Sequence, residues 1–373
     1  MKILVLCYEY PPVGGGGGRV AASVGAGLAA RGHEVKVVSA GLRHLPRRAV
    51  IEGVEVFRPE SYRQREDTCS VREMALYLVT SFFPALRLCR SWKPDVIHTH
   101  FVVPTGALAL ALHWITGIPY VLTAHLGDVP GGVPEQTDKL FRWLGPFIRP
   151  IWKNAAAVTA VSAFVAELAE KNCRVSAKVI LNGVPLLPPP ARLELQNPIR
   201  LVMVGRLSIQ KNPLLAIRAL SLVKDLPWRL EVIGEGPLAA PMRECVEENG
   251  LADRVVFSGW LAAEEVSKCL SASDILLMTS TSEGLPMAGI EALRHGLAIV
   301  GSRIGGLMDV ITDGKNGLLC DLSPEDFAKG LREVLENPDR LLAMRAASLV
   351  KVRDFHLPDR LNDYERVLES AAR

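Results

Sequence analysis

Several things this 373-residue chain lacks narrow what it can be. It has no C-x-x-C pair, and its seven cysteines (Cys7, Cys69, Cys89, Cys173, Cys245, Cys269 and Cys320) are odd in number and scattered. That argues against a disulfide framework and a thiolate zinc site, and points to a reducing cytoplasm. It lacks an excess of either charge: 43 Lys and Arg against 40 Asp and Glu leave a net +3, too little to argue for nucleic acid. It also lacks an unbroken hydrophobic run of spanning length. The most apolar region, Phe101 to Ala124, is interrupted by Pro104, Gly106, His113, Gly117 and Pro119, and fits loop, buried helix and buried strand better than a membrane span. The opening Met1-Lys2-Ile3-Leu4-Val5-Leu6-Cys7 is too short for a signal peptide and leads into glycines.

What is present is globular: 49% hydrophobic and 22% charged residues, on a chain too long for one typical core. Short apolar runs of strand type alternate with helical patterns, the sequence sign of parallel βαβ units. The first series opens near Lys2 and closes near Leu181; a second starts afresh near Arg200 and closes near Leu319. Between them lies a proline-rich stretch containing Pro188-Pro189-Pro190. The expectation is an α/β chain of two doubly wound, Rossmann-like domains facing a central cleft. Residues 1–184 form the first, 185–198 the linker and 199–356 the second, with a helix over 357–373 returning to the first. A helix over 21–31, closed by Gly32, is expected after the first strand. In such sheets sites gather at the carboxyl ends of the strands.

The most informative segment is Ser282-Glu283-Gly284-Leu285-Pro286-Met287-Ala288-Gly289-Ile290-Glu291. Pro286 suits the first helical position, because its fixed φ matches the helix and its missing N–H would go unpaired there. The N–H groups of Met287 and Ala288 then open a helix start suited to an anion. Glu283 lies before that start, and Glu291 lies roughly 7 Å further along the axis at about 1.5 Å per residue. An anion between two carboxylates looks like a phosphate-linked sugar, with phosphate on the amides and hydroxyls on the glutamates.

Other motifs follow strands. Gly205-Arg206-Leu207-Ser208-Ile209-Gln210-Lys211 brings a forked guanidinium and a point charge to a loop. Alone they would pass for surface charges; beside the helix start they read as a pyrophosphate clamp. Pro11-Pro12-Val13 and the five glycines Gly14 to Gly18 allow close backbone approach but miss the G-x-G-x-x-G spacing of a dinucleotide fingerprint. Gly234-Glu235-Gly236-Pro237-Leu238-Ala239 matches G-x-G-x-x-A, and supports a nucleotide contact better than nicotinamide. His125, in Thr123-Ala124-His125-Leu126-Gly127-Asp128, fits a structural role as well as a catalytic one. His98 and His100 alternate on a strand end with no third metal ligand nearby, and read as structural. Between Arg63 and Arg90, arginines mix with apolar residues such as Phe82 and Phe83. That stretch (63–90) fits a partly buried helix, and could also offer an anionic membrane a basic amphipathic surface.

Together these residues resemble the retaining, family-four glycosyltransferases of the GT-B architecture. The resemblance runs over nearly the whole chain, from Tyr10-Pro11-Pro12 and Gly15-Gly16 through Thr123-Ala124-His125, Asn182-Gly183-Val184, Gly205-Arg206 with Lys211, and Gly234-Glu235-Gly236-Pro237. It continues through the E-x₇-E pair, Gly305-Gly306 and Asp313-Gly314-Lys315-Asn316-Gly317. It implies that Arg206 and Lys211 bind a donor diphosphate, Glu291 its ribose and Glu283 the sugar hydroxyls. The backbone of Leu285, Pro286, Met287 and Ala288 would meet sugar and phosphate, and Gly234 and Gly236 would line the base. Gly15 and Gly16 would approach the diphosphate, and His125 would lie beside the anomeric carbon as a catalytic group with Glu283. Arg294-His295 stands where the family has small residues, Gly289 weakens the E-x₇-E helix, and Leu307-Met308 follows the Gly-Gly pair where a proline is frequent.

The expected activity is transfer of a hexose from a UDP- or GDP-linked sugar to an acceptor hydroxyl, with retention of anomeric configuration. No D-x-D triplet occurs, so no metal and no cofactor are expected; the cations and the helix dipole would stabilise the leaving diphosphate. The acceptor would be a carbohydrate, a lipid-linked or a small molecule, in polysaccharide or glycolipid biosynthesis. Nucleic acid is not an expected partner. The expected place is the cytoplasm, including the inner face of its membrane. The alternatives are a sugar-nucleotide epimerase or a phosphorylase of the same shape, a nicotinamide dehydrogenase resting on the Gly234 loop, and a non-catalytic sugar-nucleotide binder.

Overall fold

The computed structural model describes residues 1–65, 69–188 and 193–373, the side chains at 134–140 and 142–144 excepted. The chain divides into two compact units, Met1–Gly183 with Leu357–Arg373, and Val184–His356. Pro189 and Pro190 of the proline-rich stretch lie outside the described residues, as do residues 66–68 of the basic one.

The first unit carries β1 (Lys2–Leu6), β2 (Glu34–Val38), β3 (Gly41–Leu42), β4 (Arg48–Ile51), β5 (Val54–Phe57), β6 (Glu60–Arg63), β7 (Val96–His100), β8 (Tyr120–Ala124), β9 (Ala157–Ala160) and β10 (Lys178–Val179). Eight of them form one sheet in the order β10-β9-β8-β7-β1-β2-β5-β4, with β3 and β6 paired apart. Neighbours in the large sheet run parallel except β4 with β5. β7 and β8 are buried along their whole length, and β1 at every residue after Lys2. Helices cover both faces of such a sheet, so its central strands read as unbroken apolar runs and not as alternation. The Phe101 to Ala124 region resolves into an irregular turn (Val102–Gly106), a helix (Ala107–Thr116) and β8. No helix among the described residues is long and apolar enough to cross a membrane.

Two local readings are corrected here. The first helix begins at Gly16 and runs Gly16–Ala30, so Gly16 to Gly18 are its opening turn and not loop. Helix propensity places glycine outside helices, but packing wins: a Cβ on Gly17 would sit 2.5 Å from Cζ of Phe101, and one on Gly18 would sit 2.6 Å from the carbonyl oxygen of Glu9. Only a side-chain-free turn fits that close to the ends of β1 and β7. The strand β4, absent from the sequence reading, pairs with β5 through Glu52-Gly53, whose φ values of 48° and 80° make a tight hairpin turn. Glutamate is a weak signal for that turn, which hid the hairpin.

The C-terminal helix, Leu357–Ala372, packs in the first unit through buried Leu361, Tyr364, Val367 and Leu368. Arg31 reaches Asn362 Oδ1 at 2.7 Å and Glu365 Oε2 at 2.6 Å.

The second unit holds β11 (Ile199–Val204), β12 (Trp228–Ile233), β13 (Val255–Gly259), β14 (Ile275–Met278), β15 (Ala298–Ser302) and β16 (Gly317–Cys320). They form an all-parallel sheet in the order β13-β12-β11-β14-β15-β16. Its core gathers Trp228, Leu230, Met242, Leu277, Val300, Phe327 and Leu331. Both sheets are doubly wound, as the alternation of elements predicts. Strand order reverses at β1/β7 in one and β11/β14 in the other, which opens a crevice at the carboxyl ends of those strands.

Candidate functional site

In the second unit the reversal point lies between two loops, Gly205 to Asn212 after β11 and Thr279 to Pro286 after β14. They are laced together by main-chain and side-chain bonds. Thr281 N–H donates to Gln210 O at 2.8 Å, Gln210 Nε2 donates to Ser282 O at 2.9 Å, and the Thr279 hydroxyl donates to Asn212 O at 2.9 Å. This lacing brings Lys211 Nζ to 2.5 Å from Glu283 Oε1. The Ser280 hydroxyl donates to the same oxygen at 2.6 Å. Glu283 is only 6% exposed, so its charge is kept in a site of low polarity by the ammonium and the hydroxyl.

Behind Glu283, Gly306 N–H donates to the Glu283 carbonyl at 3.1 Å, and a Cβ on Gly306 would collide with the carbonyl oxygen of Gly284. The Gly305-Gly306 pair therefore sets the path of the Glu283 loop through backbone contact.

The helix that follows runs Met287–Arg294. Pro286 is its N-cap, with ψ 118°, and not its first helical residue as the sequence suggests. Extended ψ at Pro286 turns the chain one residue later than the proline rule predicts. Met287 and Ala288 thus become the first two helical residues, and their N–H groups find no acceptor inside the helix. Leu285, just before that start, is buried. Glu291, one face further along, accepts from Arg294 Nη1 at 3.0 Å. Arg206 is exposed on the first loop.

Gly234 and Gly236 belong to a third loop, after β12, that is stitched to the first. Gly205 N–H donates to Ile233 O at 3.0 Å, Leu207 N–H to Glu235 O at 2.9 Å, and Leu238 N–H to Leu207 O at 3.0 Å. A Cβ on Gly234 would collide with the Gly205 carbonyl, so the two loops run backbone against backbone. The second unit therefore brings Arg206, Lys211, Gly234, Gly236, Glu283, Leu285 to Ala288 and Glu291 to one end of one sheet.

In the first unit the corresponding end holds Gly15, Gly16 and His125. Gly15 is the N-cap of the opening helix, and its N–H donates to Glu9 Oε2 at 3.2 Å. His125 follows β8 and is 8% exposed. Its ring stacks on Phe101, centroids 4.4 Å apart, and its Nε2 lies 3.4 Å from His100 Nδ1. A Cβ on Gly17 would stand 3.4 Å from His125 Nδ1, so glycine there leaves the approach to that nitrogen open. Burial pushes the His125 pKa down to about 4 and that of His98 to about 3, and holds His100 well below its usual value. All three imidazoles are neutral at pH 7. His98 Nε2 meets the Thr123 hydroxyl at 2.8 Å, which fits the structural reading of that residue. Among the described residues no group of three or more His, Cys, Asp or Glu side chains is arranged to hold a metal ion.

Sequence reasoning missed three groups here. Phe101 adopts φ 71°, rare for an aromatic residue, and places its ring on His125. Glu9 ties the glycine turn to Arg63, whose Nη2 lies 3.7 Å from Glu9 Oε1. Asp128 accepts from the N–H groups of both His125 and Val102. Only the three-residue spacing of His125 and Asp128 could have hinted at any of these.

Two family models match the chain, "Glycosyltransferase Family 4" over residues 14–186 and "Glycosyl transferases group 1" over residues 190–349. A glycogen synthase of Mycobacterium tuberculosis is 29% identical over 369 residues, covering 91% of this chain and 87% of that protein. A 2-deoxystreptamine glucosyltransferase of Streptomyces kanamyceticus is 27% identical, covering 78% of this chain and 82% of that one. Among solved structures, a sucrose-phosphate synthase of Thermosynechococcus elongatus superimposes with a TM-score of 0.82 at 19% identity, over 99% of this chain and 98% of its own. The Anabaena protein HepE, solved with UDP and glucose, gives 0.77 at 20% identity, over 99% of this chain and all of its own, 100%. The two sheets with their reversal points are thus the GT-B fold, and the chain belongs to the family-four glycosyltransferases, retaining enzymes that draw on a nucleotide-sugar donor.

Proposed function

We propose that the donor is a UDP- or GDP-linked hexose, bound mainly by the second unit, and that transfer needs no divalent metal. The observation that carries this reading is the Lys211–Glu283 pair beside an uncapped helix start at the β11/β14 reversal point. Lys211, Arg206 and the amides of Met287 and Ala288 supply positive charge and dipole for the leaving diphosphate, the role a metal plays elsewhere. Glu283 accepts hydrogen bonds from sugar hydroxyls and Glu291 from the ribose, while the Gly234 to Gly236 loop lines the base. In the first unit Gly15 and Gly16 approach the diphosphate. His125, neutral at pH 7, contacts the sugar beside the anomeric carbon through Nδ1. The acceptor hydroxyl attacks on the face the phosphate leaves, which retains configuration; no side chain in the set stands out as a covalent nucleophile. Two relatives support hexose transfer by name, the glycogen synthase and the glucosyltransferase, and the UDP complex of HepE supports UDP.

The acceptor is a carbohydrate, lipid-linked or small molecule. The helix Val71–Ser91 supports contact with an anionic lipid surface, since Val79 and Phe83 are exposed beside Arg72, Arg87 and Arg90. Seven free thiols support a cytoplasmic setting.

The test is thermal stabilisation by UDP, GDP, ADP and NAD, with and without EDTA. Binding to the folded state raises the melting point by mass action. A shift with UDP or GDP that EDTA leaves unchanged supports the reading and names the base; a shift with NAD alone overturns it.

A further inference from the structure

Asp128 is a buried group to which the reaction scheme gives no part. It is 4% exposed, in the loop after β8, and both its oxygens are spent on main chain. Oδ1 accepts from the N–H of His125 at 2.8 Å, and Oδ2 accepts from the N–H of Val102 at 2.7 Å. These two amides belong to different loops. Val102 follows β7 directly after Phe101, whose own N–H donates to Thr123 O at 3.1 Å. One carboxylate therefore ties the loop carrying Phe101 to the loop carrying His125, and the two rings meet face to face, with planes 29° apart. Charged acceptors make the stronger class of hydrogen bond, and a single carboxylate can accept several at once.

We propose that Asp128 is a positioning residue for the transfer reaction: its carboxylate latches the loops after β7 and β8 together, so that His125 is presented to the donor sugar in one orientation. The proposal rests on the role given to His125 above.

Only the anion can serve both amides through two free oxygens, because a protonated carboxyl turns one oxygen into a donor. Burial pushes the Asp128 pKa up to about 7, against which the two main-chain bonds work. Among the described residues the titratable groups near it are His125 and, beyond that ring, His100 on the ends of β8 and β7. Cys173 faces it from the helix Ala163–Cys173, with Arg149 of the helix Pro134–Lys153 acting on that thiol. Burial pushes Cys173 up to about 12 and His125 down to about 4, so neither titrates near pH 7. An acid limb in turnover close to pH 7 then belongs to the latch: activity is full above it and is lost as pH falls through it.

The experiment compares wild type, D128N and H125A, following UDP release from UDP-glucose and GDP release from GDP-mannose with water as acceptor. Asparagine keeps the shape but offers one acceptor and one donor, so it can hold only one of the two amides. In D128N kcat falls about 10²-fold, the loss typical of an ångström-scale misplacement. KM for the donor and UDP affinity stay within about threefold of wild type, and the acid limb disappears. Amide exchange at Val102 and His125 speeds up in D128N, a readout that needs no turnover. Wild-type kcat in D128N with an inactive H125A overturns the latch and leaves the function standing. Full activity in H125A instead removes His125 from the reaction. Loss of kcat, UDP affinity and melting temperature together makes Asp128 merely structural. Unchanged exchange at both amides overturns the latch even if neither sugar nucleotide is turned over.

Discussion

Lys211 and Glu283 cannot serve each other and a donor in the same way at once, and that conflict yields a two-sided prediction. The ammonium holds Glu283 Oε1 at 2.5 Å, with the side chains 27% and 8% exposed. To meet a diphosphate, Lys211 must share or move that bond. K211M keeps the apolar stem and removes the charge. A hydrogen bond to a charged partner is worth about 1.5–3 kcal/mol, and each 1.4 kcal/mol is tenfold, so UDP affinity should fall about 10- to 150-fold. E283Q should act in the opposite sense on UDP. Its amide oxygen still accepts from Ser280, but it no longer neutralises Lys211, so UDP binds as tightly as in wild type or tighter. The same change weakens the hydrogen bonds from sugar hydroxyls, so turnover of the UDP-sugar drops by tenfold or more, at about 1.5–3 kcal/mol for a charged bond lost. Calorimetric titration with UDP and UDP-glucose across wild type, K211M, E283Q and the double variant reads both effects. Residues in contact are non-additive, so the double variant should recover part of the cost that K211M imposes by leaving Glu283 without its partner. A UDP affinity in K211M within twofold of wild type would refute the phosphate role. So would an E283Q variant that loses UDP as strongly as K211M does.

Three further outcomes follow from buried groups. Arg345→Ala removes the partner that holds Asp274 Oδ1 at 2.5 Å in the core of the second unit, and should cost about 3–5 kcal/mol, readable as a lower denaturation midpoint with an unchanged slope. Gly306→Ala forces a methyl group against the Gly284 carbonyl, and should cost about 1–3 kcal/mol while lowering turnover through the displaced Glu283 loop; unchanged turnover would separate the two features. Stability should fall on acidification below pH 6.5. His98, His100, His125 and His295 are depressed in the fold, so unfolding takes up their protons there, while Asp128, raised in the fold, releases one. Up to three protons net give a slope of up to about 4 kcal/mol per pH unit, and a flat urea midpoint between pH 6.5 and 5 would contradict it.

How much of this was legible in the chain depended on how local each determinant is. Buried parallel strands announce themselves, because a strand covered on both faces must be apolar throughout; β1, β8 and β14 read that way and were found to within a residue. The residues proposed for the donor are marked just as locally, since Gly205, Lys211, Glu283 and the helix start at Met287 sit on two short loops of one sheet end. Their chemistry is carried by residue type and spacing. Pro286 was misplaced by one position because the proline rule fixes φ and leaves ψ open, and the extended ψ of 118° defers the helix by one residue.

The first unit was less legible, for a physical reason that the glycine turn makes plain. Gly16 to Gly18 look like loop to any scale of helix propensity, yet they open the helix, and at Gly17 and Gly18 the Phe101 ring and the Glu9 carbonyl occupy the space a side chain would need. Phe101 in turn holds a strained φ of 71°, which nothing in its own neighbourhood of sequence demands. It is kept there by the stack on His125 and by the bond from Val102 to Asp128, contacts between segments more than twenty residues apart. Motif reading finds groups that touch a ligand, because ligands dictate residue types. It passes over groups that hold those residues in place, because many side chains can fill that need and the choice is settled by packing. His125 was therefore visible in the sequence, and the carboxylate that fixes it became visible only in the fold.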